Sequence, residues 1–341
     1  MKVLLNTLYV NTPKAYLTKD GMNVVVSVDQ KEVARIPIIN LQSIYSFTYA
    51  GASPGLMKLC ADNNVALSFY TPSGHFISRS QGPVSGNVLL RKRQYCMHDD
   101  EAIKLSLSRL FIGAKIHNSR CILQRYVRDN GSDADVVPVI KHLKEYKRRL
   151  IESTSDEEIR GIEGMAAREY FSVFDNMITR CKEDFKFEGR NRRPPRDRVN
   201  ALLSFVYSLI TNEVASALEG VGLDPYVGFM HVLRPGRASL ALDLIEEMRA
   251  YLGDRLVLSM INRRQITAKD FVDMPEGSCL LTTDGRKKVI AAWQERKKDE
   301  IIHPFLNESI QLGLLPHVQA MLLARNIRGD LNGYPVFLLK S

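Results

Sequence analysis

The sequence predicts an α+β protein, a small β-rich N-terminal domain (1–95) followed by a larger all-α C-terminal domain (96–341). Three observations predict it. β-Branched residues fall in short runs bounded by turn residues through the first 80 positions. From about Asp99 the apolar period lengthens from 2 to 3.6 and stays there to about residue 325. At 341 residues, 45% hydrophobic and 25% charged, the chain has the composition of a globular protein with a substantial core.

The elements follow in order. The start, MKVLLNTLYVNTPK, has neither a basic n-region nor a small-residue cleavage site, and reads as a first strand rather than a signal peptide. Lys19-Asp-Gly21 turns into a hairpin formed by Val24–Val28 and Val33–Ile36 around Asp29-Gln-Lys-Glu32. Pro54–Ala61 suits one short helix. Val65–Tyr70 and His75–Ser78 flank Thr71-Pro-Ser-Gly74, a second hairpin pattern. Gln81–Asn87 and the basic Arg91-Lys-Arg-Gln-Tyr95 form the junction to the helical part.

Composition excludes several classes. Disorder, a collagen-like fibre and a small disulfide scaffold are incompatible with it. No apolar run approaches the roughly 18 residues that span a bilayer, so the expectation is no membrane insertion, and free thiols point to a reducing cytoplasm. The five cysteines (Cys60, Cys96, Cys121, Cys181, Cys279) are widely spaced and form no C-x-x-C pair, which fits buried free thiols. There is no Walker A loop, G-x-G-x-x-G, G-x-S-x-G or H-E-x-x-H. The net charge of +9 is uneven, with ten basic and four acidic residues in the first 95. A basic excess attracts polyanions, nucleic acid among them.

Three segments carry candidate chemistry. In the first, the capping box Ser155-x-x-Glu158 starts a helix whose apolar arc runs through Ile159, Ile162, Ala166, Tyr170 and Phe174, with Glu163 near the middle of that arc. A carboxylate there needs a salt-bridge partner, a proton or a bound cation. Gly161 and Gly164 predict close approach of a backbone or a ligand. In the second, His231 stands between Gly-Phe-Met and a Pro-Gly turn, on a constrained loop flanked by Arg234 and Arg237. In the third, Leu240, Leu244, Ile245 and Met248 form an apolar arc, and Asp243 and Glu246 project together from the opposite side.

Two carboxylates and one imidazole suit Mn²⁺ or Mg²⁺ better than a structural Zn²⁺ and leave positions open for a phosphate oxygen. A solvated helix face is the plainer account of the acids; against it, the short turn after His231 returns the chain so that this helix can present a carboxylate near the imidazole. Arg190–Arg198 adds five arginines in nine positions, Arg190, Arg192 and Arg193 among them, a phosphate-binding segment or a solvated linker. Tyr207 reads as a core tyrosine, with a substrate-side group as the alternative.

Four blocks occur in a distinctive order: Gly161-Ile-Glu-Gly164, Gly189-Arg-x-Arg-Arg-Pro-Pro-Arg through Phe205, Gly228-Phe-Met-His231 and Leu240-Ala-Leu-Asp-Leu-x-Glu246. With Arg91-x-x-Gln94 and Gly329-Asp-x-x-x-Tyr-Pro-Val-Phe337, the series resembles the CRISPR-associated adaptation integrases, the Cas proteins numbered one, over nearly the whole chain. The resemblance implies a metal-dependent DNA endonuclease and integrase, with Glu163, His231 and Glu246 as ligands of Mn²⁺ or Mg²⁺ and Asp243 as a further catalytic acid. It implies a homodimer formed through the β-rich domain, a small companion adaptation protein, and a subtype working with a Cascade-like effector (type I-C-like). It also implies transesterification, in which a 3′-hydroxyl of incoming DNA attacks a repeat phosphodiester. Arg190, Arg192, Arg193, Arg234 and Arg237 would hold backbone phosphates. A non-catalytic nucleic-acid-binding scaffold is the alternative.

Overall fold

The computed structural model describes residues 7–10, 12–41, 43–71, 76–80, 82, 88–191 and 194–340, with Phe76 described by its backbone alone. The first six residues, the Pro72–Gly74 turn with His75, most of the 81–87 junction, and Arg192 and Arg193 lie outside the described residues.

The N-terminal part is built from β1 (Thr7–Val10), β2 (Tyr16–Asp20), β3 (Asn23–Val28), β4 (Lys31–Pro37), β5 (Ser43–Ser46), α1 (Pro54–Asp62), β6 (Ala66–Tyr70) and β7 (Phe76–Ser80). The expected hairpin is β3–β4, pairing Val24 with Ile36 and Val28 with Lys31. Its turn is only two residues, Asp29 and Gln30, both at positive φ (47° and 64°). That conformation matches the right-handed twist of the flanking strands. With β2 these strands form an antiparallel sheet of order β2-β3-β4. The second sheet, of order β1-β5-β6-β7, is mixed. Strands β1, β5 and β6 run parallel, and only β6–β7 is the predicted hairpin.

Alternation along these strands divides their side chains between two cores. Ile44 and Leu67 face a small core with Val10, Leu17, Val24, Val26, Leu56 and Leu59. Tyr45, Phe47 and Tyr70 face the helical part, where Phe47 lies 6.3 Å, centroid to centroid, from Phe205. The β-rich part is therefore joined to the helices through an aromatic layer.

The helical part comprises α2 (Val88–Asp99), α3 (Glu101–Asn130), α4 (Val136–Glu152), α5 (Asp156–Ser172), α6 (Arg198–Gly220), α7 (Ser239–Glu246) and α8 (Arg255–Asn262), followed by α9 (Thr283–Arg296) and α10 (Leu315–Arg328). The division placed at 95/96 falls inside α2, so the basic junction Arg91–Tyr95 is helical. Two short antiparallel ribbons, β8 (Phe271–Asp273) with β9 (Cys279–Leu281) and β10 (Glu300–Ile302) with β11 (Ser309–Gln311), interrupt what the sequence predicted as all-α. The fold is mixed α+β, with the strand-rich region at the N-terminus.

Helix α6 runs through the middle of the helical core. Asp197 caps it by accepting from Asn200 N, and Val199, Leu202, Leu203, Leu209, Ile210 and Val214 are all buried. By length and composition this helix alone, among the described residues, could cross a membrane, contrary to the reading that no segment approached that length. It packs on α7, α10 and β9 instead, which is where its apolar surface is used. The thiols depart from expectation at one position: Cys60, Cys121 and Cys279 are buried, Cys181 is half-buried, and Cys96 is exposed.

Candidate active site

Helix α5 supplies the first acid. Ser155 Oγ accepts from Glu158 N at the helix start, and Ile159, Ile162, Ala166 and Tyr170 anchor the buried face. Glu163 stands at the edge of that face with its side chain 23% exposed. Among the described residues, no atom outside the helix's own adjacent turns comes within 4 Å of where a Cβ would stand on Gly161 or Gly164, so no other backbone approaches them closely.

The loop between α6 and α7 supplies the imidazole, and α2 holds the loop. The Gln94 amide, wholly buried, donates to Asp224 O (2.8 Å) and Val227 O (2.7 Å) and accepts from Asp224 N (2.9 Å). His98 Nδ1 donates to Gly228 O at 2.6 Å. At Gly228 a Cβ would stand 2.5 Å from Asp243 Oδ2 and 2.8 Å from Leu240 N, so the loop reaches α7 only because this residue has none.

Helix α7 supplies the remaining acids, and here the helical wheel misled. Asp243 and Glu246 are buried, not on a wet face, because α7 is enclosed by α3, α6 and α10. Asp243 Oδ2 accepts from Phe229 N (2.6 Å) and Met230 N (3.1 Å), while Oδ1 accepts from His231 N (2.9 Å) and His231 Nδ1 (2.6 Å). Both carboxylate oxygens are thereby occupied. A carboxylate accepting three amides fixes the proton on Nδ1 and leaves the Nε2 lone pair of His231 available.

Lys115 of α3 joins the other two acids. Its ammonium pairs with Glu163 Oε1 and lies 3.0 Å from Glu246 Oε2. Arg249 contacts Glu246 Oε1 at 2.7 Å. Although burial alone would raise the Glu246 pKa, Arg249, Lys115 and His231 outweigh it and hold the carboxylate at about 2. Glu246 Oε2 is nevertheless buried with no well-directed hydrogen bond, since Lys115 lies within ion-pair distance but off the hydrogen-bonding direction.

A cavity of about 20 Å³, room for roughly one water, lies beside Glu163 and is lined by Lys115, Tyr170, Tyr207, Arg249 and Asp254. Asp254 accepts from the hydroxyls of Tyr170 (2.9 Å) and Tyr207, and burial raises its pKa to about 6 against those bonds. Tyr207, predicted as core, is half-buried, with the guanidinium carbons of Arg249 and Arg190 5.0 and 5.4 Å from its ring centroid. Gly253 leaves room for that ring. A π-helical turn, Arg249–Asp254, carries both Arg249 and Asp254 to this place.

The structure thus brings Glu163 and Glu246 together through Lys115, with His231 beside Glu246. Among the described residues, no three His, Cys, Asp or Glu side chains stand already arranged around a metal position. Of the arginines, Arg190 is turned inward, donating to Asn191 O, Asn200 Oδ1 and Ser204 Oγ. Arg234 is exposed on the turn after His231, and Arg237 is half-buried. Lys115 and Arg249 were not singled out from sequence. The signal for Lys115 was a lone cation in the stretch Phe111–Ser119, where Ile112, Ala114, Ile116 and Asn118 are buried.

Comparison with known proteins identifies the family. The pattern of "CRISPR associated protein Cas1" matches residues 8–295. The chain belongs to the Cas1 family. A CRISPR-associated endonuclease Cas1 of Chlorobaculum tepidum is 52% identical over 341 residues, covering 99% of each chain. Among solved structures, a casposase bound to integration product superposes with a TM-score of 0.82 at 23% identity, covering 96% of this chain and 92% of that one. A Cas6-RT-Cas1–Cas2 complex gives 0.85 at 21% identity, covering all of this chain and 37% of the other. At such identities the structures speak for the shared fold; the endonuclease name comes with the Cas1 relative.

Proposed function

We propose that this Cas1 protein is a metal-dependent DNA endonuclease and integrase of CRISPR spacer acquisition. The observation that carries the proposal is the convergence of Glu163 and Glu246 on one ammonium, Lys115, beside an imidazole that Asp243 holds with Nε2 available. Lys115 stands where a cation is wanted, and the buried, poorly bonded Glu246 Oε2 is a donor in need of one. Glu163, His231 and Glu246 fit Mn²⁺ or Mg²⁺, a hard cation with mixed O/N ligands. When bound, the ion supplies Lewis-acid polarisation of a phosphoryl oxygen.

The chain's own groups do the rest. Asp243 fixes the His231 tautomer and takes a positioning role, its oxygens being occupied. Lys115 and Arg249 place positive charge beside the reacting phosphate, where the transition state gathers negative charge. Exposed Arg234, with Arg237, Arg192 and Arg193, holds backbone phosphates and makes binding fall with salt; Arg190, turned inward, takes no part. In strand transfer, the 3′-oxygen of incoming DNA forms a bond to a repeat phosphorus as the phosphorus–O3′ bond of the repeat breaks. The proton moves from the attacking hydroxyl to the departing one through solvent. The number of phosphodiesters is unchanged, so no nucleotide is consumed.

The partners proposed are DNA, a second copy of the chain and a small companion protein. The Cas1–Cas2 content of one structural neighbour supports the companion. Large apolar side chains exposed on the β-rich part, Ile39 (80%) and Tyr49 (74%), support a dimer interface there. The prokaryotic source of the relatives supports a cytoplasmic location, where the DNA substrate is. The test is Mn²⁺-dependent strand transfer of 3′-hydroxyl DNA into a repeat, with Glu163→Ala and His231→Ala inactive. Salt-sensitive DNA binding without any product would favour the non-catalytic scaffold.

A further inference from the structure

A cavity of about 580 Å³ opens between α3, α8 and the end of α9, and shares no lining residue with Glu163, His231 or Glu246. Its charge is layered. Arg296 lines it with a side chain only 13% exposed, whereas the acids at its edge, Asp129, Asp299 and Glu295, are 52%, 61% and 76% exposed. The guanidinium carbons of Arg255 and Arg296 lie 4.8 and 5.4 Å from the centroid of the same Tyr251 ring. Arg125 completes the group from α3, 3.3 Å from Asp129.

The two inner cations, Arg255 and Arg296, are poorly neutralised. Arg296 donates to Tyr251 O (2.9 Å), reaches Asp299 only at 3.8 Å, and keeps its Nε buried without a partner. Among the described residues Arg255 has no carboxylate within ion-pair distance, and its packing is on an aromatic face. Burial first, then the neighbouring Arg255, lowers the Arg296 pKa to about 10, the mark of like charges crowded where water is scarce. Such an arrangement is stabilised by an anion from outside the chain. The exposed acidic edge disfavours a long polyanion lying across the opening and admits a compact, multiply charged group. Planar guanidinium forks match phosphate oxygens best.

We propose that this cavity is a second anion site, distinct from the candidate active site, which takes a terminal phosphoryl group between Arg125, Arg255 and Arg296. The phosphoryl group has two possible sources, a free phosphate compound or the 5′-phosphate at a DNA strand end.

The experiment titrates inorganic phosphate into metal-free full-length protein by calorimetry, with chloride as the control anion. Arg255→Gln should weaken phosphate binding at least tenfold. Arg125→Gln, at the exposed rim where the fold is not at stake, should weaken it severalfold with an unchanged circular dichroism spectrum. No saturable phosphate binding by the wild type, or wild-type affinity in both variants, overturns the proposal. A second arm competes 5′-phosphorylated against 5′-hydroxyl duplex. A preference for the phosphorylated end that disappears in Arg125→Gln assigns the site to strand ends, and equal competition assigns it to free phosphate.

Discussion

Asp243 Oδ1 lies 2.6 Å from His231 Nδ1 and 2.9 Å from the backbone nitrogen of the same residue, so one carboxylate oxygen fixes both the ring and the chain that bears it. The other oxygen holds the two preceding amides. This clamp fixes the imidazole before any ligand arrives, and separates Asp243 in role from Glu246, three residues on.

Replacing Asp243 by Asn puts an amide NH₂ against backbone donors. Asp243→Asn is expected to weaken Mn²⁺ binding by about 10–100-fold, the range for partners that orient a metal-ligating histidine. Calorimetric Mn²⁺ titration measures it. Unchanged affinity would place Asp243 outside the clamp role.

Gly228→Ala tests the same clamp from the loop side. Its Cβ would meet Asp243 Oδ2 at 2.5 Å and the α7 backbone at 2.7 Å. The predicted loss of stability is about 1–3 kcal/mol, the range for overpacking, read from urea unfolding midpoints at constant m-value.

Lys115 is the only side chain pairing with both Glu163 and Glu246 among the described residues. Removing one partner of a buried ion pair costs roughly 3–5 kcal/mol. Lys115→Met should therefore lower the melting temperature of metal-free protein, and saturating Mn²⁺ should restore more of it than the same ion adds to wild type. Differential scanning calorimetry with and without Mn²⁺ distinguishes the two.

Asp254 governs a pH effect away from the acids of the cluster. Its folded pKa of about 6 stands above the ordinary aspartate value of 3.8, because burial outweighs the bonds from Tyr207 and Tyr170. The folded state thus binds the proton more tightly, so this stabilisation is full below about pH 4 and is lost as pH rises through 6. The change is on the order of 3 kcal/mol. Asp254→Asn should flatten the stability profile between those pH values, measured by chemical unfolding across pH 4–7.

Much of this was legible in the sequence. The β3–β4 hairpin, α1 and the shift to helical period are local patterns, and local patterns are what a sequence displays. The loop holding His231 was also legible, from Gly228 and the Pro-Gly turn. Parallel pairing of β1, β5 and β6 was not, since it joins strands distant in the chain. That Asp243 and Glu246 would both be buried was not legible either, for a related reason. An eight-residue helix enclosed by three others buries its polar side too, and only tertiary contacts reveal that. Lys115 escaped notice because its partners lie 48 and 131 residues away.

The most direct measurement is anomalous diffraction at the manganese edge from crystals soaked in Mn²⁺. One peak bonded by Glu163, Glu246 and His231 Nε2, with Lys115 displaced, is the predicted result. Manganese bound elsewhere, in protein still competent for Mn²⁺-dependent strand transfer, would contradict the account.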